Sequence, residues 1–342
     1  MTLNQLKQIL IGTLILVLSG CGTNSQSQST EKSNLVDYIN PLVEQRADPW
    51  VLKDSDGTYY FIASVPEYDR IILRSAKTIN GLHTAEEKVI WRKHETGIMG
   101  AHIWAPELHK IDGKWYVYFA AGEAENIWNI RMYALSNDSA DPMQGQWQEE
   151  GQVKSHFESF ALDATSFVHK GKRYMIWAQY KNDNSNLWMS EMKSATELTG
   201  PVLMLSTPEY DWERVQYNVN EGAAVLIKNG KVFVTYSASA TDHNYAMGLL
   251  WADIESDLMD ANSWHKSETP VFSTNETLKR FGPGHSSFTI AEDGKTDLLV
   301  YHARDYKEIQ GSSLNDPNRH TRVRVINWDE NGMPDFGQNL DD

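Results

Sequence analysis

Asp56-Gly57-Thr58-Tyr59-Tyr60 reads as a tight turn running into an aromatic strand, and the chain repeats it. The same arrangement returns in Asp112-Gly113-Lys114-Trp115-Tyr116, Lys170-Gly171-Lys172-Arg173-Tyr174, Asn229-Gly230-Lys231-Val232-Phe233 and Asp293-Gly294-Lys295-Thr296-Asp297. Asp-Gly and Asn-Gly pairs suit the positive φ angles that a hairpin turn demands. The five copies recur about every 59 residues, the scale of one propeller blade.

Each copy has the same surroundings. The chain before the turn goes from a small or polar start to an apolar end, as in Glu221-Gly222-Ala223-Ala224-Val225-Leu226-Ile227. After the turn comes a more continuously apolar strand, such as Tyr116-Val117-Tyr118-Phe119 or Phe233-Val234-Thr235-Tyr236, suited to burial between neighbouring blades. Third strands follow at 71–74, 129–133, 186–189, 247–251 and 322–326, while fourth strands are visible only near Val89-Ile90-Trp91 and Trp147. No stretch sustains a helical period. These features define an all-β chain whose residues 35–342 form a single-domain, five-bladed β-propeller. A β-sandwich of this length would also show short strands, but it gives no reason for the period. How the ring is closed is not visible in the sequence.

Composition limits the partners. Trp 12, Tyr 15 and Phe 10 make the chain rich in aromatics, as β proteins are, and a net charge of -15 would repel a phosphate backbone. A neutral or cationic ligand fits better than nucleic acid. Residues 1–20 have the form of an export signal, with Lys7 ahead of an apolar run from Ile9 to Leu18. That run ends in Leu18-Ser19-Gly20-Cys21, which resembles a bacterial lipobox, so the signal is expected to be cut before Cys21 and the cysteine lipidated. Cys21 is the only cysteine, which excludes an internal disulfide. Residues 21–34 are then the lipidated cysteine and a polar, low-complexity tether. The expectation is an exported lipoprotein held to a membrane through Cys21, on a face that the sequence leaves open.

The turn glycines also serve as rulers. Nine residues before Gly57, Gly113, Gly230 and Gly294 stand Asp48, Trp104, Glu221 and His285, and eight before Gly171 stands Asp163. In a propeller the first strand of each blade lines the central channel, so these five side chains are expected to meet near one mouth. Three acids gathered there are costly unless a function needs them. They suit cleavage of a glycosidic bond, which takes one protonated carboxyl for the leaving oxygen and one carboxylate to activate water or attack the sugar. A third carboxylate can raise the donor's pKa and hold it in place. Trp104 has two readings, a platform for the C–H face of a sugar or a core tryptophan.

Ala47-Asp48-Pro49, His102-Ile103-Trp104-Ala105-Pro106-Glu107, Leu162-Asp163-Ala164 and Asn220-Glu221-Gly222, in that order and at blade spacing, resemble the motifs of glycoside hydrolase family 43. The resemblance runs from about Asn40 to Gly337 and implies Asp48 as general base, Glu221 as general acid and Asp163 as the residue that orients the acid and tunes its pKa. It also implies inversion at the anomeric carbon, with room for a water between base and acid. Gly282-Pro283-Gly284-His285-Ser286-Ser287-Phe288 resembles the family's blade-five motif. Two readings of His285 stay open there, a substrate-facing ring or a weak ligand for a structural ion such as calcium in the channel, and no cofactor is required. His102 and Arg304, the latter in Tyr301-His302-Ala303-Arg304-Asp305, are expected at the substrate, with a salt bridge to a channel acid as the alternative for Arg304. Glu107-Leu108-His109 and Asp316-Pro317-Asn318-Arg319-His320-Thr321-Arg322 most resemble the branch with exo-acting α-1,5-L-arabinofuranosidases. The implied partner is an arabinose-containing oligo- or polysaccharide. A β-xylosidase, an endo-arabinanase and a non-catalytic, sugar-capturing propeller are the alternatives.

Overall fold

Three of the five repeated turns explain their own sequence. The loops joining Ala101–Ile111 to Lys114–Gly122, Ala161–His169 to Lys172–Lys181 and Asn220–Lys228 to Lys231–Ala238 are two residues long. Both residues of each have positive φ: Asp112 and Gly113, Lys170 and Gly171, Asn229 and Gly230. That double requirement matches the right-handed twist of paired strands and favours Asp112-Gly113 and Asn229-Gly230, while Lys170-Gly171 meets it with a lysine in the first position. The turns at Gly57 and Gly294 lie in longer loops but keep a positive φ, at 82° and 70°.

These turns organise a computed structural model that describes residues 37–341. The leader, the tether and Cys21 lie outside the described residues. A compact unit begins at Tyr38, and it holds five antiparallel blade sheets and one separate two-stranded hairpin. Blade one holds β1 (Ala47–Lys53), β2 (Tyr59–Ser64), β3 (Arg70–Ala76) and β4 (Lys88–Arg92) in sequence order. Blade two holds β5 (Ala101–Ile111), β6 (Lys114–Gly122), β7 (Arg131–Asn137) and β8 (Gln148–Gln152), which starts one residue past Trp147. Blade three holds β9 (Ala161–His169), β10 (Lys172–Lys181), β11 (Asn184–Ser194) and β12 (Glu197–Ser206). Blade four holds β13 (Asn220–Lys228), β14 (Lys231–Ala238), β15 (Ala246–Asp253) and the two-residue β16 (His265–Lys266). Blade five holds β17 (Phe281–Ile290), β18 (Asp297–Arg304) and β19 (His320–Val325), and a small hairpin of β20 (Asn327–Trp328) and β21 (Pro334–Asp335) follows.

Second strands are buried on both faces; every residue of β2 is buried. Apolar side chains from adjacent blades meet in separate clusters, such as Tyr59, Phe61 and Ile72 with Leu298, Val300 and Val323 between blades one and five. Phe233 and Leu249 likewise meet Leu299 and Tyr301 between blades four and five. Removing such a ring, as in Phe61→Ala, costs about 3–5 kcal/mol in a core of this kind. The continuously apolar strands read from the sequence are therefore the ones sandwiched between neighbours.

The ring is closed by the start of the domain. The Leu42 N–H donates to the Thr321 carbonyl at 2.8 Å, and the Thr321 N–H donates to the Val43 carbonyl at 2.9 Å. The Asn40 side chain continues this edge by exchanging two hydrogen bonds of 2.8 Å with the Val323 backbone. Residues 40–43 thus occupy the outer edge of blade five, where the other blades carry a fourth strand.

Candidate active site

All five inner strands are bulged where the chemistry-bearing residues sit. Register slips between Ala47 and Trp50 of β1, between Trp104 and Glu107 of β5 and between Glu221 and Ala224 of β13. It also slips in β9 opposite Ile176–Ala178 and twice in β17 between Phe281 and Ser287. The extra residue leaves the ladder and turns a side chain toward the axis. Positive φ marks the same places, with 52° at Asp48, 44° at Ala105, 57° at Asp163, 58° at Gly222 and 43° at His285. Each such non-glycine costs about 1–3 kcal/mol of strain and persists only where its surroundings hold it.

The result is one cavity of about 420 Å³ lined by Asp48, Trp104, Asp163, Glu221 and His285 together. Asp48 is fixed from four directions. The Ser64 hydroxyl donates to its Oδ2 at 2.6 Å, and Ser64 in turn accepts the Ala105 N–H at 2.8 Å. Arg319 reaches its Oδ1 at 3.3 Å, and His285 Nδ1 lies at the same distance. Its own N–H donates to His302 Nδ1 at 3.0 Å. That nitrogen is therefore an acceptor, and burial keeps the His302 ring neutral by pushing its pKa well below the ordinary value. The 3.4 Å approach of the same nitrogen to Asp48 Oδ1 is accordingly not an ion pair. Burial alone would raise the Asp48 carboxyl, but Arg319 first, then His285 and the Ser64 hydrogen bond, hold it well below the usual carboxylate range.

Glu221 and Asp163 are driven the other way. Burial, aided by the charge of Asp48 and opposed by a hydrogen bond from Tyr245, pushes Glu221 up to about 7. Asp163 rises well above its ordinary value through burial and the charges of Glu221 and Asp48. The two carboxyls are also neighbours in the structure. Their link runs through the backbone, since Asp163 Oδ2 accepts the Gly222 N–H at 2.9 Å, at the peptide following Glu221. The Tyr245 hydroxyl donates to Glu221 Oε1 at 2.9 Å. Its ring lies parallel to His302, 3° apart in plane, and a side chain on Gly284 would stand 2.5 Å from that ring.

The other expected residues divide between the cavity wall and the interior. Trp104 lines the cavity and remains 8% exposed, so it serves as wall and core at once. His102 is absent from the lining; its ring packs between Trp104 at 4.4 Å and Trp128 at 4.9 Å, behind the wall. Arg304 is likewise absent from the lining, contrary to the expectation of a substrate contact, and its guanidinium is spent inside the protein. It donates to Asp316 Oδ1 at 2.9 Å, to the Thr241 carbonyl at 2.7 Å and to the Ser313 carbonyl at 2.8 Å. Its ion pair is with Asp316, not with a channel acid. Arg304 thereby pins the loop between β18 and β19, from which Ser312, Ser313 and Leu314 reach the cavity. The Tyr68 hydroxyl holds the same loop at the Leu314 carbonyl and accepts from Arg319 at 2.9 Å. The guanidinium at the acids is therefore that of Arg319, which the motif Asp316-Pro317-Asn318-Arg319 contained without a role. Arg319, Tyr245, His302 and Ser64 lie outside the counted offsets, which is why the ruler missed them.

An ion in the channel would need ligands beside His285. Among the described residues no group of three or more His, Cys, Asp or Glu side chains could hold a metal ion. His285 Nδ1 faces the two carboxylates, at 3.3 Å from Asp48 and 3.9 Å from Asp163. Among the described residues these side chains do not form a protein-ligated metal site.

Comparison with known proteins agrees with this geometry. Residues 38–334 match the model of Glycosyl hydrolases family 43. An Extracellular exo-alpha-(1->5)-L-arabinofuranosidase of Streptomyces avermitilis is 52% identical over 94% of this chain and 67% of its own length. A protein of the same name from Streptomyces chartreusis is 58% identical over 80% of this chain and 84% of its own. A crystal structure of an alpha-L-arabinofuranosidase from Lactobacillus brevis superposes with a TM-score of 0.86 at 51% identity, covering 89% of this chain and 98% of that one. Five bulged strands that bring three acids to one propeller axis, with a family match over nearly all the described residues, lead to one assignment: this chain belongs to glycosyl hydrolase family 43.

Proposed function

We propose that this glycosidase is an exo-acting α-1,5-L-arabinofuranosidase that releases L-arabinofuranose from arabinan or arabino-oligosaccharides with inversion. One observation carries the acid–base part of the reading: within one cavity Asp48 is held ionised while Glu221 is pushed up to about 7. Single displacement needs that division, a base that is charged and an acid that still holds its proton. Asp48 would take a proton from water as the water attacks the anomeric carbon. Glu221 would give its proton to the departing oxygen, and the sugar would pass through an oxocarbenium-like state between them. Asp163 would act as a positioning residue through the Gly222 amide, keeping the Glu221 peptide in place. The exo reading is supported by the loop carrying Ser312, Ser313 and Leu314, which walls one side of the cavity and is pinned by Arg304 and Tyr68. The substrate class rests on the names of the relatives. Export through residues 1–20 and anchoring at Cys21 complete the proposal and rest on the sequence alone.

Incubation with linear α-1,5-arabinan should yield arabinose as the first product. Asp48→Ala and Glu221→Ala should each lower turnover by about 10²–10⁴-fold, the usual scale for a lost acid or base. Ordinary turnover in either variant would contradict the assignment, and oligosaccharides as first products would contradict exo action.

A further inference from the structure

The cavity wall is lopsided. Blades two, three and four contribute Trp128, Tyr180 and Tyr217 to it, whereas the blade-five side is closed by Ser312, Ser313 and Leu314. Tyr217 is 60% exposed, Trp128 55% and Tyr180 40%, so exposure marks all three and direction must choose among them. Large aromatic surface left in water beside a cavity signals a ligand surface. The backbone under Tyr217 is held on both sides. The Ser185 N–H donates to the Asn218 carbonyl at 3.0 Å, and the Ala240 N–H donates to the Val215 carbonyl at 3.1 Å. The backbone that carries this ring is fixed in advance, so a ligand stacking on it has little to order beyond the side chain itself.

Direction follows from the chemistry proposed above, on which this inference rests. In an inverting displacement, water comes from the base's side and the leaving group departs on the acid's side. The base lies on β1 and the acid on β13, with Tyr217 four residues before Glu221 on the segment leading into that strand. With the blade-five side walled off, the leaving part of the substrate must cross blades three and four.

We propose that Tyr217, together with Tyr180, is the platform for the leaving portion of the glycan, stacking against the C–H face of the first neutral sugar units beyond the cleaved bond. This is a binding surface for oligosaccharide, distinct from the position of the sugar that is released.

The test compares linear arabinotriose with methyl α-L-arabinofuranoside, whose leaving group has no ring to stack. In Tyr217→Ala the ratio of kcat/KM for the triose to that for the methyl glycoside should fall about tenfold, a common scale for one lost contact surface, mainly through KM. Tyr217→Phe should restore the ratio, because the ring and not the hydroxyl is used. Trp128 packs on His102 and Trp104 at the blade-two wall, not on the blade that carries the acid, so Trp128→Ala should change both substrates by the same factor. An equal loss on both substrates in Tyr217→Ala would overturn the platform, as would a ratio that falls in Trp128→Ala instead. If the unaltered enzyme hydrolyses neither substrate, the glycosidase reading itself fails and the platform with it.

Discussion

At the scale of single residues, the reaction depends on neighbours that set two carboxyls apart. Tyr245 tests this most finely, because it touches only one of them. Its hydroxyl donates to Glu221 and so favours the ionised form. Asp163 through the Gly222 amide, Asp48 and Arg319 are the other groups that act on Glu221. Activity should be flat in mild acid, where Asp48 is already ionised, and fall as pH rises through about 7 with loss of the Glu221 proton. Removing the donor in Tyr245→Phe raises the Glu221 pKa further, so the alkaline limb of kcat/KM should move up by about one pH unit. A limb that stays or moves down would contradict the role given to Tyr245. Asp48, Asp163 and Glu221 could be found in the sequence because acids at matched distances from turn glycines are conspicuous. Arg304 could not be placed correctly, since two of its three partners are backbone carbonyls, and a carbonyl carries no residue type. Arg319 was readable only as part of a motif, because it belongs to a loop that follows no ruler.

At the scale of elements, the bulge does what an ideal strand cannot. Gly222 shows why a given residue stands there: its φ is 58°, and a Cβ would come within 3.0 Å of the His285 ring. Gly222→Ala would add left-handed strain of about 1–2 kcal/mol. It would also press on His285 and disturb the amide that Asp163 accepts. Both the melting temperature and kcat should fall, kcat by at least tenfold in proportion to the lost alignment of Glu221; a variant as active and stable as the parent would show that the bulge is not under this constraint. Hairpin turns were legible because Asn-Gly and Asp-Gly encode two positive φ angles. The bulges were not, although Pro49, Gly222 and Gly282-Pro283-Gly284 are the kinds of residue that interrupt a ladder. The two-residue β16 could not be seen, since its position is set by pairing with β15 and not by a pattern of its own.

At the scale of the molecule, a period of one blade was enough to deduce a ring, and the ring is what makes distant residues neighbours. Its closure escaped the sequence because it rests on a bridge between Val43 and Thr321, residues almost at opposite ends of the domain and each in a short, unpatterned segment. The inner strands of blades one and four bring Asp48 and Glu221 to one cavity from far apart in the chain, and the proposed single displacement requires a water to attack opposite the bond that breaks. Stereochemistry reports that arrangement directly. Proton NMR of the first product from an α-1,5-linked arabino-oligosaccharide, read before mutarotation, should show β-L-arabinofuranose, whereas α-L-arabinofuranose as the first product would mean retention and would contradict Asp48 as the base that activates water.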